Sequence, residues 1–236
     1  MRKVFRVSIK IIGILLLLLI LVAVGGWIYI DSAFLNFEKD YVEKTSFSNR
    51  NEDGFIYTDL NDNGKLDIYE DSRKSINERV EDLLSQMTIE EKIHILKGSG
   101  LSSMLGFNDP GEGIPGAAGT IVPTPRLGLP TLYLADGPAG LRIEPTREDE
   151  DRTYYATAFP IGILLASTWN TQLVEEVGKA MGEEVSEYGI DIILGPGVNI
   201  HRHPLSGRNF EYFSEDTVRS GNIGAAIVNG IESQGV

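Results

Sequence analysis

The spacing of apolar residues changes along the chain, and each change predicts a different element. Ile11 to Ile30 reads I-I-G-I-L-L-L-L-L-I-L-V-A-V-G-G-W-I-Y-I, twenty residues without a charge. A helix built from this run has no polar face. At 1.5 Å per residue it is about 30 Å long, the hydrocarbon thickness of a bilayer, so a transmembrane helix is predicted over 11–30. Residues 31–55 are polar and weakly patterned and read as a juxtamembrane linker, with Gly54-Phe-Ile-Tyr-Thr58 extended. From Ile76 the spacing turns helical: Val80, Leu83 and Leu84 share one face of a helix over Ile76–Gln86. Thr88-Ile-Glu-Glu91 is a capping box that opens a second helix, which runs to about Leu96 and ends before Gly98. Residues 98–128 hold eight glycines and four prolines and are expected to form a long loop rather than an element.

Beyond Leu129 short apolar runs alternate with helical stretches. Strands are predicted over Pro130–Ala135, ending at Asp136, over Phe159–Ala166 and over Ile192–Leu194. Asn170 caps a helix from Thr171 to about Tyr188, with Leu173, Val177, Met181 and Val185 spaced by four. Gly189 stops it, and another helix runs from Thr217 to about Ser233. Strand ends near 136, 166 and 194 repeat at about thirty residues, the period of β-α units on a parallel sheet. The pattern alone does not separate an open doubly wound sheet from a (β/α)8 barrel. No G-x-G-x-x-G or P-loop stands at a strand-to-helix turn, so the nucleotide-binding versions lose support.

Charge adds direction. Residues 1–10 carry Arg2, Lys3, Arg6 and Lys10 and no acid, while Trp27 and Tyr29 stand at the far end of the apolar run. The positive-inside rule then makes 1–10 a cytoplasmic segment, with the body held outside the membrane through residues 11–30. Ala23-Val24-Gly25 is a tolerable cleavage site, which leaves secretion after signal removal as the alternative. The 236 residues have a net charge of −13; once the first thirty are set aside, 17 basic and 34 acidic side chains remain, a net of −17. So acidic a body lacks the basic footprint of a nucleic-acid binder, and no nucleic-acid partner is expected. The absence of cysteine excludes a disulfide framework and thiolate chemistry.

Asp59 to Glu70, D-L-N-D-N-G-K-L-D-I-Y-E, follows the twelve-position calcium-loop template. Asp59, Asn61 and Asn63 supply oxygens at positions 1, 3 and 5, and Gly64 the sharp turn at 6. The Lys65 carbonyl serves at 7, Asp67 at 9, and Glu70 is the bidentate carboxylate at 12. A structural calcium is expected there, with no cofactor for catalysis. An Asn/Asp/Gly turn is the plain reading.

The densest chemistry lies between Asp191 and Asp216. A short apolar run ends at Gly195-Pro196-Gly197 and is followed by Asn199, His201, Arg202, His203, Arg208, Asn209, Glu211, Glu215 and Asp216. Phe210, Tyr212 and Phe213 interleave with the charges, which a merely solvated loop has little use for. A strand followed by a polar-rich loop is how α/β barrels present chemistry. Asp136 also ends a strand, in D-G-P-A-G-L-R (136–142). A carboxylate there can accept hydrogen bonds from two neighbouring sugar hydroxyls. His201 and His203, with Arg202 between them and no third ligand evident, read as loop residues packing near Pro204.

The segments L-A-D-G-P-A-G-L-R (134–142) and R-H-P-L-S-G-R-N-F-E-Y-F-S-E-D (202–216) resemble glycoside hydrolase family 3, the β-glucosidase-type branch. The resemblance runs from about Ile56 to Val236 and implies a portion of a (β/α)8 barrel, incomplete because family members continue well beyond this point. It implies a retaining, exo-acting β-glycosidase whose substrate is a β-linked glycoside or oligosaccharide. Asp136 matches the aspartate that grips the sugar ring, Arg142 lies close by, and Arg208 matches a further sugar-contacting residue. Glu211 is expected to orient an arginine rather than attack substrate. The family's nucleophile and acid/base would lie beyond residue 236, and a Lys-His pair would begin about five residues after Val236. Thr217 departs from the family's usual proline, at the start of a helix. A membrane-anchored, non-catalytic sugar-binding or calcium-stabilised module is the alternative.

Overall fold

The computed structural model describes residues 2–32, 41–99, 113–147 and 150–236. Helix α1 spans Arg2–Ile30. Within it, Ile12–Ile30 is long and apolar enough to cross a membrane by length and composition, and none of it is buried against the body. The body begins with a hairpin of β1 (Ser48–Glu52) and β2 (Phe55–Asp59). Its turn residues Asp53 and Gly54 both take positive φ, 51° and 86°, the combination that matches the twist of paired strands. Strand β1 lies inside the stretch read as linker. All five of its residues are exposed, so no apolar alternation marks it. The Asp-Gly dipeptide was its only signal. Just before it, the chain is fastened to the body: Lys44 Nζ donates to the Leu60 carbonyl at 2.7 Å, and Glu43 accepts from the Thr131 amide at 3.1 Å.

Helices α2 (Ile76–Gln86) and α3 (Ile89–Leu96) form over the expected ranges. Ser75 and Thr88 accept from the amides three residues on, while Glu78 and Glu91 reach back, so the first-turn donors are satisfied at both starts. A four-stranded sheet follows in the order β3 (Gly98–Ser99), β4 (Gly119–Ile121), β5 (Leu132–Asp136) and β6 (Ile192–Leu194). β3–β4 and β4–β5 pair antiparallel, and only β5–β6 is parallel. The stretch 98–128 is therefore not one loop. Glycine content hid two short strands, and residues 100–112 lie outside the described part.

The strand expected over Phe159–Ala166 is a correction. Residues Gly162–Ser167 form helix α4, with Gly162, Leu165 and Ala166 buried and Ile163 and Leu164 exposed, a three-and-four spacing. Pro160 has no amide to give a central strand, a signal the apolar run obscured. The crossover from β5 to β6 is thus α4 followed by α5 (Thr171–Glu187), and the thirty-residue repeat of strand ends does not hold. Helix α6 (Thr217–Glu232) follows β6; Asp216 caps it and Thr217 is its first residue.

The core lies where α5 and α6 cover the β5–β6 pair. Ala135, Val174, Met181, Val185, Ile223 and Ile227 are among its buried members, and Leu173 of the expected face is instead exposed. Two helices come together here on glycine. A Cβ at Gly178 would stand 2.5 Å from the Ile227 carbonyl oxygen, and one at Gly230 would stand 2.3 Å from that of Glu175. Such contact distances leave no room for a side chain, so the α5–α6 distance is set by backbone on backbone.

Candidate functional site

The parallel register places Asp136 opposite Leu194, so β5 and β6 end together and their loops share one edge of the sheet. After Asp136 the chain turns within a few residues. A Cβ at Gly137 would meet the Gly140 carbonyl oxygen at 2.6 Å, and Gly140 has a φ of 113° with the Thr157 carbonyl against it. Both positions need glycine for that reason. The Arg142 amide then donates to the Asp136 carbonyl at 2.9 Å, and buried Leu141 anchors the turn in the core. This closure returns Arg142 to the strand end, where its guanidinium lies 3.2 Å from Asp136 Oδ2. Both side chains face solvent, so the pair is available to a ligand.

The loop after β6 supplies the second cation. His201 donates its amide to the Ser214 carbonyl, folding the loop back on itself, and a short 3-10 turn over Asn209–Glu211 presents Arg208. Glu211 is buried and its carboxylate accepts from Arg208 Nε, an orienting contact. The bond to Glu211, then its charge and, more weakly, the charge of Asp136 hold the Arg208 guanidinium above its ordinary pKa. The charges of Arg208 and Asp136 thus act on one another, and the three residues expected to bind ligand lie on the two loops that leave the same edge of the sheet. An exposed carboxylate paired with one guanidinium, with a second guanidinium on the neighbouring loop, can bind a polyhydroxylated ring, because vicinal hydroxyls need acceptors and donors side by side.

The two histidines are part of this loop, His201 half-buried and His203 exposed. His203 Nδ1 accepts from the Leu205 amide at 3.1 Å, and the His201 ring packs 6.3 Å from that of Tyr212. His201 Nε2 and Asn209 Oδ1 are buried without a partner among the described residues, a local polarity that sequence reading did not anticipate.

The Asp59–Glu70 loop is closed by its own donors. Asp59, fully buried, accepts from Arg50 Nε and from the amides of Asn63 and Gly64 at 3.1 and 3.0 Å. Burial pushes its pKa up, but these donors outweigh it and hold the carboxyl below its usual value. Asn61 and Asn63 both donate to Asp67 Oδ2 at 2.6 Å, and Gly64 makes the turn with a φ of 76°. Glu70 accepts from the amides of Leu60 and Asp67; burial nevertheless raises its pKa above the ordinary carboxylate value. Among the described residues no three His, Cys, Asp or Glu side chains form a group placed to hold a metal on their own. The expected ligand set relies on amide and carbonyl oxygens as well.

Residues 120–236 match the profile of the glycosyl hydrolase family 3 N terminal domain. The chain is 42% identical over 162 residues to thermostable beta-glucosidase B of Acetivibrio thermocellus, an alignment covering 66% of this chain and 19% of that protein. It is 43% identical over 151 residues to beta-glucosidase A of Butyrivibrio fibrisolvens, covering 64% and 17%. Among solved structures it resembles beta-glucosidase 3B from Thermotoga neapolitana in complex with alpha-D-glucose, with 59% identity and a TM-score of 0.62 over 67% of this chain and 22% of that one. The chain spans about a fifth of the length of these relatives.

Proposed function

Since residues 120–236 belong to the glycosyl hydrolase family 3 N-terminal domain, we propose that this chain forms the front of the sugar pocket of a retaining, exo-acting β-glycosidase of β-glucosidase type. The observation that carries the reading is the convergence of Asp136, Arg142 and Arg208 where β5 and β6 end. In this reading Asp136 accepts hydrogen bonds from two ring hydroxyls, Arg142 and Arg208 donate to the same ring, and Glu211 keeps Arg208 aimed. The parallel β5–β6 pair with its helical crossover is one unit of a (β/α)8 barrel, and the nucleophile and acid/base come from sequence that follows residue 236. Neither Asp136 nor Glu211 is assigned chemistry, since each is already committed to an arginine. A reading frame extended past Val236 is expected to hydrolyse 4-nitrophenyl β-D-glucoside and to release the β-anomer first, as a double displacement requires. Release of the α-anomer first, or no release from the extended protein, would count against it.

Helix α1 is read as a single-pass anchor with the body outside, on its apolar length, basic leader and Trp27–Tyr29 belt. Protein made in its host is expected to stay in the membrane pellet after carbonate washing, with an N-terminus upstream of Ile11. Soluble protein beginning near Gly25 would instead mean signal cleavage.

The Asp59–Glu70 loop suits a calcium ion in donor type and order, with Arg50 holding the position-1 carboxylate that the ion would share or take over. The ion would supply a rigid closure of the loop and no catalytic chemistry. Calcium is expected to raise the melting temperature through preferential binding to the folded state, and Glu70→Gln to weaken that response. Identical melting in saturating calcium and in chelator would leave the loop an ordinary turn.

A further inference from the structure

A cavity of about 550 Å³ opens beside the C-terminal end of α5, and its lining includes none of Asp136, Arg142 or Arg208. Its wall is aromatic and charged in alternation. The Tyr154 ring has the Arg147 guanidinium 4.4 Å from its centroid and that of Arg152 at 5.0 Å, and meets Tyr188 edge-on at 6.5 Å. Tyr188 Oη donates to the Tyr155 carbonyl at 2.7 Å, which ties the loop to the helix. Tyr154, Tyr188 and both arginines are thus held by the protein, whereas the Tyr155 ring projects, 79% exposed, at the rim. Glu187 lines the same space and has no hydrogen-bond or ion-pair partner among the described residues.

From this arrangement we infer that the cavity is a second saccharide-binding site, taking a neutral β-linked oligosaccharide. A sugar ring has an apolar face of C–H groups and an edge of hydroxyls that donate and accept together. Tyr155 offers the flat, low-entropy apolar platform. Arg147 and Arg152 offer donors, and Glu187 an acceptor for paired hydroxyls. The volume falls in the range of small-ligand sites. An anionic ligand is disfavoured by Glu187 and by a body that carries a net of −17 beyond residue 30. Location separates the two sites. Tyr188 immediately precedes Gly189 and the start of β6, while Asp136 pairs with Leu194 at the end of that strand. Bound here, one part of a longer glucan would hold the rest near the front pocket and raise its local concentration. The inference rests on the glycosidase reading for its choice of ligand.

The test is native affinity electrophoresis of the detergent-solubilised full chain in gels with and without soluble mixed-linkage β-glucan. The wild-type chain is expected to be slowed by the glucan. Tyr155→Ala should weaken the apparent Kd about tenfold, Glu187→Gln less, and Tyr155→Phe should restore retention, since the ring and not the hydroxyl is the platform. Asp136→Ala should still be retained. No slowing of the wild type, unchanged retention in Tyr155→Ala, or retention abolished by Asp136→Ala would each overturn the second site. Hydrolysis by the extended protein is measured separately, so the glycosidase reading stands or falls on its own result.

Discussion

Replacing Asp136 with alanine in the extended enzyme is expected to lower kcat/KM for a β-glucoside by about 10²–10⁴-fold. The physical reason is that a carboxylate accepting from ring hydroxyls binds more tightly as the ring flattens and gains positive charge toward the transition state. Removing it also leaves Arg142 without its carboxylate, while Arg208 keeps its pairing with Glu211. Arg208→Ala should cost a comparable factor, because the donor is lost and Glu211 is left buried without its guanidinium. Asp136→Asn should keep part of the rate, retaining one acceptor without the charge. Steady-state kinetics with azide present decides the role. Azide replaces a lost nucleophile or base and not a lost sugar contact, so no rescue is expected. Recovery of rate by azide in Asp136→Ala would make this carboxylate a reacting group and remove the binding assignment.

Gly230→Ala is expected to be strongly destabilising. The added Cβ meets the Glu175 oxygen at 2.3 Å, the Lys179 amide nitrogen at 2.8 Å and the Gly178 carbonyl carbon at 2.9 Å, all of them backbone. No rotamer change relieves such contacts, so α5 and α6 must separate, and overpacking of this kind costs about 3 kcal/mol. For a chain of this size that is a fall of about 6–12 °C in Tm. Gly221→Ala on the same helix meets nothing within 4 Å and should be neutral or stabilising by up to about 1 kcal/mol. Thermal unfolding followed by circular dichroism compares the two directly. Equal melting temperatures would mean that helix propensity, and not interhelical distance, governs this pair.

Much of this was legible in the sequence wherever one local rule acted alone. Capping residues located the starts of α3 and α5, apolar spacing located α2, and the segments at 136–142 and 202–216 marked the residues that stand at one edge of the sheet. What escaped was decided by partners distant in sequence. The run at 159–166 has the same apolar content as a buried strand, and beyond Pro160 its helical fit shows only in the packing of Gly162 against the Glu211–Tyr212 backbone. Strand β1 has no apolar face to read. The glycines of α5 and α6 look like weak helix formers until the facing helix is known, when they become the contact itself. The cavity beside Tyr155 gave no sign, because its lining comes from four separate parts of the chain.

The fastening of Glu43 and Lys44 to the body fixes a length. With α1 read as the anchor, residues 31–40 are all that separate the apolar run from the first tie to the body, since Tyr41 Oη meets the His94 ring at 2.6 Å and the next ties are at the Thr131 amide and the Leu60 carbonyl. Ten residues span at most about 36 Å by covalent length alone. A body anchored in this way would stay within a layer no thicker than its own diameter plus that reach. On the proposed reading of anchor and sugar pocket, a glycan would be met only within that reach of the membrane.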